Sequence, residues 1–382
     1  MLQNKNQSEL FDLIVVYSEN YAKSALDEKY RRKAPFPAEF NILNDSYSYM
    51  LTRCRKSGIK AALTTSKDIT GPGTFKGFWT YDTEWARNKG RARCRLIFDK
   101  FAAATTEQAK RFRLLTSSPS ILKFNEQKLT SLFRDKLKTY ELFREFAIPS
   151  EGIKSLSERN IYLAKSRLDR KLRVHRHSGD FTDGYVIKDR AGASGMGIHR
   201  TGLANGLERA ILEQRASDTK QKRMASYILQ PFISCEKGFA FGEHRGLIDV
   251  RVILLDHRPL QTYIRIAKRG EFRCNEHQGG ELVYISLKEL PKDITESVKN
   301  ISRRLSSVLN ARHVLYALDF MRSNSGNLYL VEGNSKPGID WNHRKRTNEI
   351  RTKELIDSIV KKLKLIINER KQSTKNPAES HG

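Results

Sequence analysis

The sequence predicts an α/β protein, with a small α/β domain over residues 1–118, a larger α+β unit over 119–370 and a disordered tail over 371–382. Three observations carry this division. Strand-length apolar runs alternate with helical periodicity in the first third of the chain. The run Ser117-Ser118-Pro119-Ser120 then breaks the pattern and sets a boundary near residue 118. Beyond it, amphipathic helices bracket a series of β-prone runs.

Taken in order, Phe11–Tyr17 reads as a buried strand, Ser46–Arg55 as a helix that ends at Gly58, and Ile59–Leu63 as a second strand. The glycines and proline of Ile69–Gly73 mark a loop, and Phe78–Tyr81 is a further strand. Thr105–Leu115 is helical. From Gln127 to Phe146, Leu129, Leu132, Phe133, Leu137, Tyr140, Leu142 and Phe143 keep helical spacing, so one helix is expected there, stopped by Pro149. Lys154–Val174 is basic and partly helical. Gly184–Lys188 is a strand entering a glycine-rich turn, and Gly202–Ser217 is helical. Strands follow at Tyr227–Gln230, Asp249–Leu255 and Leu260–Ala267, and amphipathic helices at Ile294–Leu309 and Thr352–Glu369. Polar residues from Lys371 onward predict the tail.

Composition narrows the class. The chain is 38% hydrophobic and 30% charged, as soluble globular proteins are, and no apolar stretch approaches the ~20 residues that cross a bilayer. The polar first residues lack the layout of a signal peptide, so the cytoplasm is expected and a membrane partner is not. Cys54, Cys94, Cys235 and Cys274 are scattered, with no metal-finger spacing, and read as free thiols in a reducing compartment. A formal net charge of +27 attracts polyanions, so a polyanionic macromolecule is an expected partner. The alternative is a solvated, Lys/Arg-biased surface. A homo-oligomer is compatible with this composition.

Two short apolar runs, Val314–Met321 and Leu328–Asn334, flank the turn-rich segment 322–327 and predict a β-hairpin. A turn centred near Ser325 and Gly326 places Asp319 opposite Glu332, and period-two alternation puts Asn334 on the same face. Three oxygen-bearing side chains then converge. Two carboxylates buried together need a neutralising cation, and such donors suit Mg²⁺ held with substrate phosphates. The alternative is a pair of hairpin carboxylates facing water. Upstream, Lys188 ends a strand and is followed by glycines at 192, 195 and 197, whose backbone N–H groups are free to approach an anion. There is no Walker-type loop. A kinase is excluded because the glycine loop follows the strand lysine, and a dinucleotide fold because the glycines run G-x-x-G-x-G.

The order of helix lysine, strand lysine, glycine loop, hinge strand, arginine strands and acidic hairpin resembles the ATP-grasp superfamily. Residues 249–338 resemble its glutathione synthase and ribosomal-protein glutamate ligase branch. The matches are Asp249-Val250-Arg251, the stretch from Arg265 to Asn275, Gly279-Gly280, Asp319-Phe320 and Glu332-Gly333-Asn334-Ser335-Lys336-Pro337-Gly338. The resemblance implies an ATP-grasp fold, two α+β subdomains enclosing ATP with a nucleotide lid at about 180–228, preceded by the small α/β domain. It implies that Lys136, Lys188 and the loop residues Gly192, Ser194, Gly195 and Gly197 contact the ATP phosphates. Gln230, Phe232 and Ile233 would form the adenine hinge, with Pro231 unable to donate, and Glu236 would hold the ribose. Asp319, Glu332 and Asn334 would bind two Mg²⁺ ions, with Mn²⁺ as a substitute. Arg265, Arg273 and Asn275 would stabilise the transferring phosphoryl group. Arg251 and the Gly279-Gly280 backbone would face substrate, with a salt bridge to Asp249 as the alternative for Arg251. Gln278 stands where the branch often has a basic residue, and His277 lies beside it.

The implied reaction is ATP-dependent joining of a carboxylate to an amine through an acyl-phosphate, with release of ADP and phosphate. The substrates would be an amino acid or a peptide. Two other readings stand beside it: a protein-modifying ligase acting on a ribosome-associated or acidic macromolecule, and a basic nucleic-acid-associated protein with a vestigial ATP-grasp fold.

Overall fold

The computed structural model describes residues 8–101, 103, 105–155, 157–181, 184–192, 198–201, 226–276, 279–310, 312–341 and 345–375. Packing divides the chain into two compact units, one of residues 1–126 with 338–382 and one of residues 127–337.

In the first unit, β1 (Glu9–Tyr17) leads through α1 (Asn41–Lys56) to β2 (Ala61–Thr65), which lies parallel to it. β3 (Ile69–Gly71) and β4 (Thr74–Tyr81) form a tight hairpin where a loop is expected. Gly73 makes that turn at φ +57, and a Cβ there would come within 2.3 Å of the Cys94 carbonyl. β5 (Trp85–Lys100) is long: its first half pairs antiparallel with β4 and its second half parallel with β1. The sequence does not announce this strand, because Arg91, Arg93 and Arg95 read as a charged run. In fact they alternate with Ala92, Cys94 and Leu96, which enter the core. α2 (Thr106–Leu115) starts at a capping box between Thr105 and Gln108, and β6 (Leu122–Phe124) completes a six-stranded sheet.

The second unit begins with two helices where the periodicity predicts one. α3 (Gln127–Arg134) stops at Asp135, which adopts φ −101, ψ 98 and caps α4 (Lys136–Leu142) by accepting the N–H groups of Leu137 and Lys138. Both Asp135 carboxylate oxygens also accept from Arg190 at 2.6 Å. The break puts Lys136 in the first turn of α4. Next come β7 (Glu151–Ile153), α5 (Glu158–Arg173), β8 (Tyr185–Asp189), β9 (Ile198–Thr201) and β10 (Tyr227–Pro231), giving an antiparallel sheet of order β7-β10-β8-β9. The expected helix at 202–217 lies outside the described residues, as does most of the expected lid. β11 (Ile248–Leu255), β12 (Arg258–Ile266), β13 (Glu281–Ile285), α6 (Lys292–Leu309), β14 (Leu315–Arg322) and β15 (Leu328–Asn334) build a second antiparallel sheet of order β13-β12-β11-β14-β15. One face of it, with Val250, Val252, Leu254, Ile264, Leu318 and Phe320, packs with Ile294, Val298, Ile301 and Leu305 of α6. The opposite face is left for polar side chains.

α7 (Arg346–Lys375) closes the chain and belongs to the first unit, where Asp357 binds Arg53 of α1 at 2.7 Å. This corrects both the expected end of the second domain at 370 and the expected start of a disordered tail at 371, since the helix continues through Lys375. Among the described residues no helix is long and apolar enough to cross a membrane. All four cysteines are free and buried, and burial pushes the Cys54, Cys94 and Cys235 thiols up to about 12.

Candidate active site

Strand register assembles the polar face of the five-stranded sheet. Tyr284, Tyr263, Arg251, Asp319 and Glu332 stand in one row across β13, β12, β11, β14 and β15. Two residues along, Arg265 faces Asp249; in the other direction Gln261, Ile253, Ala317 and Asn334 form a parallel row. The hairpin therefore pairs Asp319 with Glu332 and keeps Asn334 on their face. A β-bulge beyond Asp319 interrupts the ladder.

These charges are buried and paired. Arg251 grips Asp319 through two parallel bonds, Nε to Oδ1 at 2.6 Å and Nη2 to Oδ2 at 2.5 Å, and lies 3.8 Å from Glu332. Arg265 binds Asp249 in the same forked way at 2.7 and 2.8 Å and gives a further bond to Asp319 Oδ2 at 2.7 Å. The alternative pairing of Arg251 with Asp249 does not form, because those residues are neighbours along one strand and each meets its partner across the ladder. Burial by itself would raise the Asp319 carboxyl, but Arg251 and Arg265 hold it at about 2. Asp249 moves upward, since burial and the nearby Asp319 outweigh Arg265.

The two phosphate-binding candidates converge beside this row. Burial pushes the Lys188 ammonium down to about 8; Glu332 opposes the shift and Lys136 adds to it. Lys136 Nζ donates to the Gly192 carbonyl, so the α4 lysine and the start of the glycine loop meet. A narrow crevice is lined by Lys136, Thr139, Tyr140, Gln230 and Glu332. Gln230 Nε2 donates to Ser150 Oγ at 2.7 Å, while its buried Oε1 has no partner among the described residues. At the expected hinge, Phe232 N–H donates to the Gly184 carbonyl at 2.8 Å and is not available to a nucleotide.

Other predicted residues are placed differently. Glu236 is exposed and accepts from Asn324 of the hairpin turn at 3.3 Å. Arg273 is held by Glu271, two residues away, at 2.8 Å rather than by the Asp319 cluster. Asn275 and Gly280 close a tight loop through their backbones at 3.2 Å, with Gly279 at φ +85. Ser194, Gly195, Gly197, His277 and Gln278 lie outside the described residues.

Does this donor set suit a divalent ion? Two carboxylates and a carboxamide on one face supply hard oxygen donors, as Mg²⁺ requires. Glu332 is partly exposed and Asp319 Oδ1 accepts only one bond among the described residues, so both keep lone pairs, while Asn334 Oδ1 already accepts Lys336 N–H at 2.8 Å. The set fits.

Sequence reasoning misses several contributors. Asp249 enters it as part of the Asp249-Val250-Arg251 match and as a partner of Arg251 but with no role in the site, and Tyr263, Ser150 and the Asp135–Arg190 brace are not singled out. Period two along β11 and β12 could have found Tyr263, whereas Ser150 and Arg190 act across the fold and leave no local signal.

A family profile described as a RimK-like ATP-grasp domain matches residues 134–359. A probable alpha-L-glutamate ligase of Legionella pneumophila is 30% identical over 243 residues, 63% of this chain and 68% of that protein. Among solved structures, D-alanyl-alanine synthetase A from Vibrio cholerae superposes with a TM-score of 0.57 at 12% identity, covering 93% of this chain and 98% of that one. A RimK domain protein from Sphaerobacter thermophilus gives 0.52 at 12% identity over 91% and 98%. With the profile spanning more than half of its residues, the chain belongs to the RimK-like ATP-grasp family, and it is an ATP-dependent, ADP-forming carboxylate–amine ligase.

Proposed function

We propose that this ligase joins L-glutamate to an amine or carboxylate partner, and that the polar face of the five-stranded sheet is where the phosphoryl group is transferred. The glutamate assignment rests on what the Legionella relative is named for. The observation that supports the site assignment is Glu332, which pairs with Asp319 across the hairpin, lies 3.8 Å from Arg251 and favours the charged form of Lys188.

When bound, ATP supplies the γ-phosphoryl group that activates the carboxylate, and divalent ions neutralise the phosphate oxygens. Asp319, Glu332 and Asn334 would hold two Mg²⁺ ions, with Mn²⁺ able to replace them. Lys136 and Lys188 bind the polyphosphate as point charges, and Gln230 with Ile233 orients the adenine edge. Arg251 and Arg265 sit where negative charge develops as a carboxylate oxygen attacks phosphorus and the bond to ADP breaks. The amine nitrogen then attacks the acyl carbon, phosphate leaves and the nitrogen loses a proton. None of these steps needs a protein nucleophile. Positioning and charge stabilisation suffice.

Hydroxylamine trapping tests this reading. Protein incubated with Mg-ATP, hydroxylamine and a panel of amino acids and dipeptides should give ADP together with the hydroxamate of the member whose carboxylate is activated, and L-glutamate should either be that member or take the place of hydroxylamine as the amine. ADP without hydroxamate, or no ADP with any member of the panel, would overturn the assignment.

A further inference from the structure

The arginines of β5 have no role in the ligase chemistry described above. Arg91, Arg93 and Arg95 all face solvent, and among the described residues none of them pairs with a carboxylate. Alternate residues on a strand are about 6.7 Å apart, so the three guanidinium groups form a regular line. Lys76 of β4 stands opposite Arg91 and is also exposed. At the other end, Arg370 of α7 donates to the Arg95 carbonyl at 3.3 Å, and burial together with Arg95 pushes the Arg370 guanidinium below its ordinary value. Like charges thus gather here, and the carboxylate on the neighbouring strand, Asp12, is already ion-paired with Lys371 at 3.0 Å.

The strand itself restricts how a partner can dock. Arg93 lies in the interior of the sheet between β4 and β1, and Arg91 pairs with β4. The backbone of Arg93 thus has a strand on each side, so a partner cannot add there as a further strand and must be read through side chains. Three successive outward positions carry arginine, whose planar fork matches a phosphate oxygen pair better than an ammonium does. Beside Arg93, Leu10 is 55% exposed and offers an apolar surface next to the charged line. A narrow charged line with an apolar margin suits an unpaired strand, which presents its phosphates and its base faces together; a duplex hides the faces.

We propose that the β5 arginine row is a docking surface for single-stranded nucleic acid, held through its phosphodiester backbone. The function is additional to amide formation and does not depend on which amino acid the ligase uses.

The test uses the full chain and a fluorescein-labelled 20-residue oligouridylate, with binding followed by anisotropy over a salt series. Replacing Arg91, Arg93 and Arg95 together with alanine should weaken binding at least tenfold. It should also lower the slope of log affinity against log salt by about 2, since each phosphate that an arginine neutralises on a single strand adds ~0.7 to that slope. A control of equal charge, Lys299→Ala with Arg303→Ala and Arg304→Ala on α6, should weaken binding less than twofold, and both variants should keep wild-type ADP formation. If the triple variant does not fold, the single variants decide, each expected to lower the slope by about 0.7. Equal weakening in row and control variants, unchanged binding in the row variants, or displacement of the oligonucleotide by polyglutamate or anionic vesicles at lower charge concentration would each overturn the proposal.

Discussion

Two sets of arginines, one in each unit, obey opposite rules. In the five-stranded sheet, Arg251 and Arg265 are 7% and 6% exposed, and each grips a carboxylate in forked geometry. In the six-stranded sheet, Arg91, Arg93 and Arg95 face solvent and pair with no carboxylate among the described residues. Burial explains the contrast. A guanidinium withdrawn from water costs several kcal/mol unless an anion faces it, whereas water satisfies an exposed one. Pairing in the first sheet is therefore a condition of folding, and the open row in the second is free to serve a partner.

Removing one member of the buried set should give the largest effect. Asp319→Ala leaves two guanidinium groups facing each other without their shared anion and should cost about 3–5 kcal/mol, read from the midpoint of denaturant unfolding. Asp319→Asn keeps the shape and should abolish ADP formation; activity near wild type would remove the site assignment. The pH dependence of this group follows from its depressed pKa. Its contribution to stability is complete above the ordinary carboxylate range and is lost only as pH falls through about 2.

Lys188→Ala should weaken nucleotide binding by about 1.5–3 kcal/mol, measured by calorimetry. Because burial lowers the Lys188 pKa to about 8, the folded protein binds fewer protons here than the unfolded chain between about 8 and the ordinary lysine range. Stability from this group therefore rises with pH across that window, while nucleotide affinity falls. Binding at pH 8–9 should take up protons, seen as a buffer-dependent heat; a heat independent of buffer would count against a lysine–phosphate contact.

A packing change comes next in size. A Cβ on Gly333 would lie 2.4 Å from the Phe133 ring, so Gly333→Ala should cost about 1–3 kcal/mol by thermal melting and disturb Glu332 and Asn334 on either side. Smallest of all, Arg93→Ala should change stability by less than about 0.5 kcal/mol. A larger loss would show that the open row is structural and would erase the contrast between the two sheets.

Much of the site was legible because it is local. A turn of six residues between two apolar runs suffices to set Asp319 against Glu332, and alternation brings Asn334 to the same side. The same logic applied to β5 would have found the strand, had Ala92, Cys94 and Leu96 been given more weight than the arginines between them. The single helix expected at 127–146 failed for a different reason. Nothing in the apolar spacing records that Asp135 trades helical geometry for a cap on α4 and an ion pair with Arg190, 55 residues away.

The sequence by itself determined the α/β class, most strands and helices, the hairpin register and the set of charged residues available for chemistry. These follow from periods of 2 and 3.6 residues and from turn and capping residues, all readable within a short window. Only the tertiary structure decided who pairs with whom. It gave Arg251 to Asp319 across 68 residues, Arg265 to both Asp249 and Asp319, and the C-terminal helix to the N-terminal unit. Such choices depend on which strands and helices become neighbours, and the cost of a buried unpaired charge enforces them once the chain has closed.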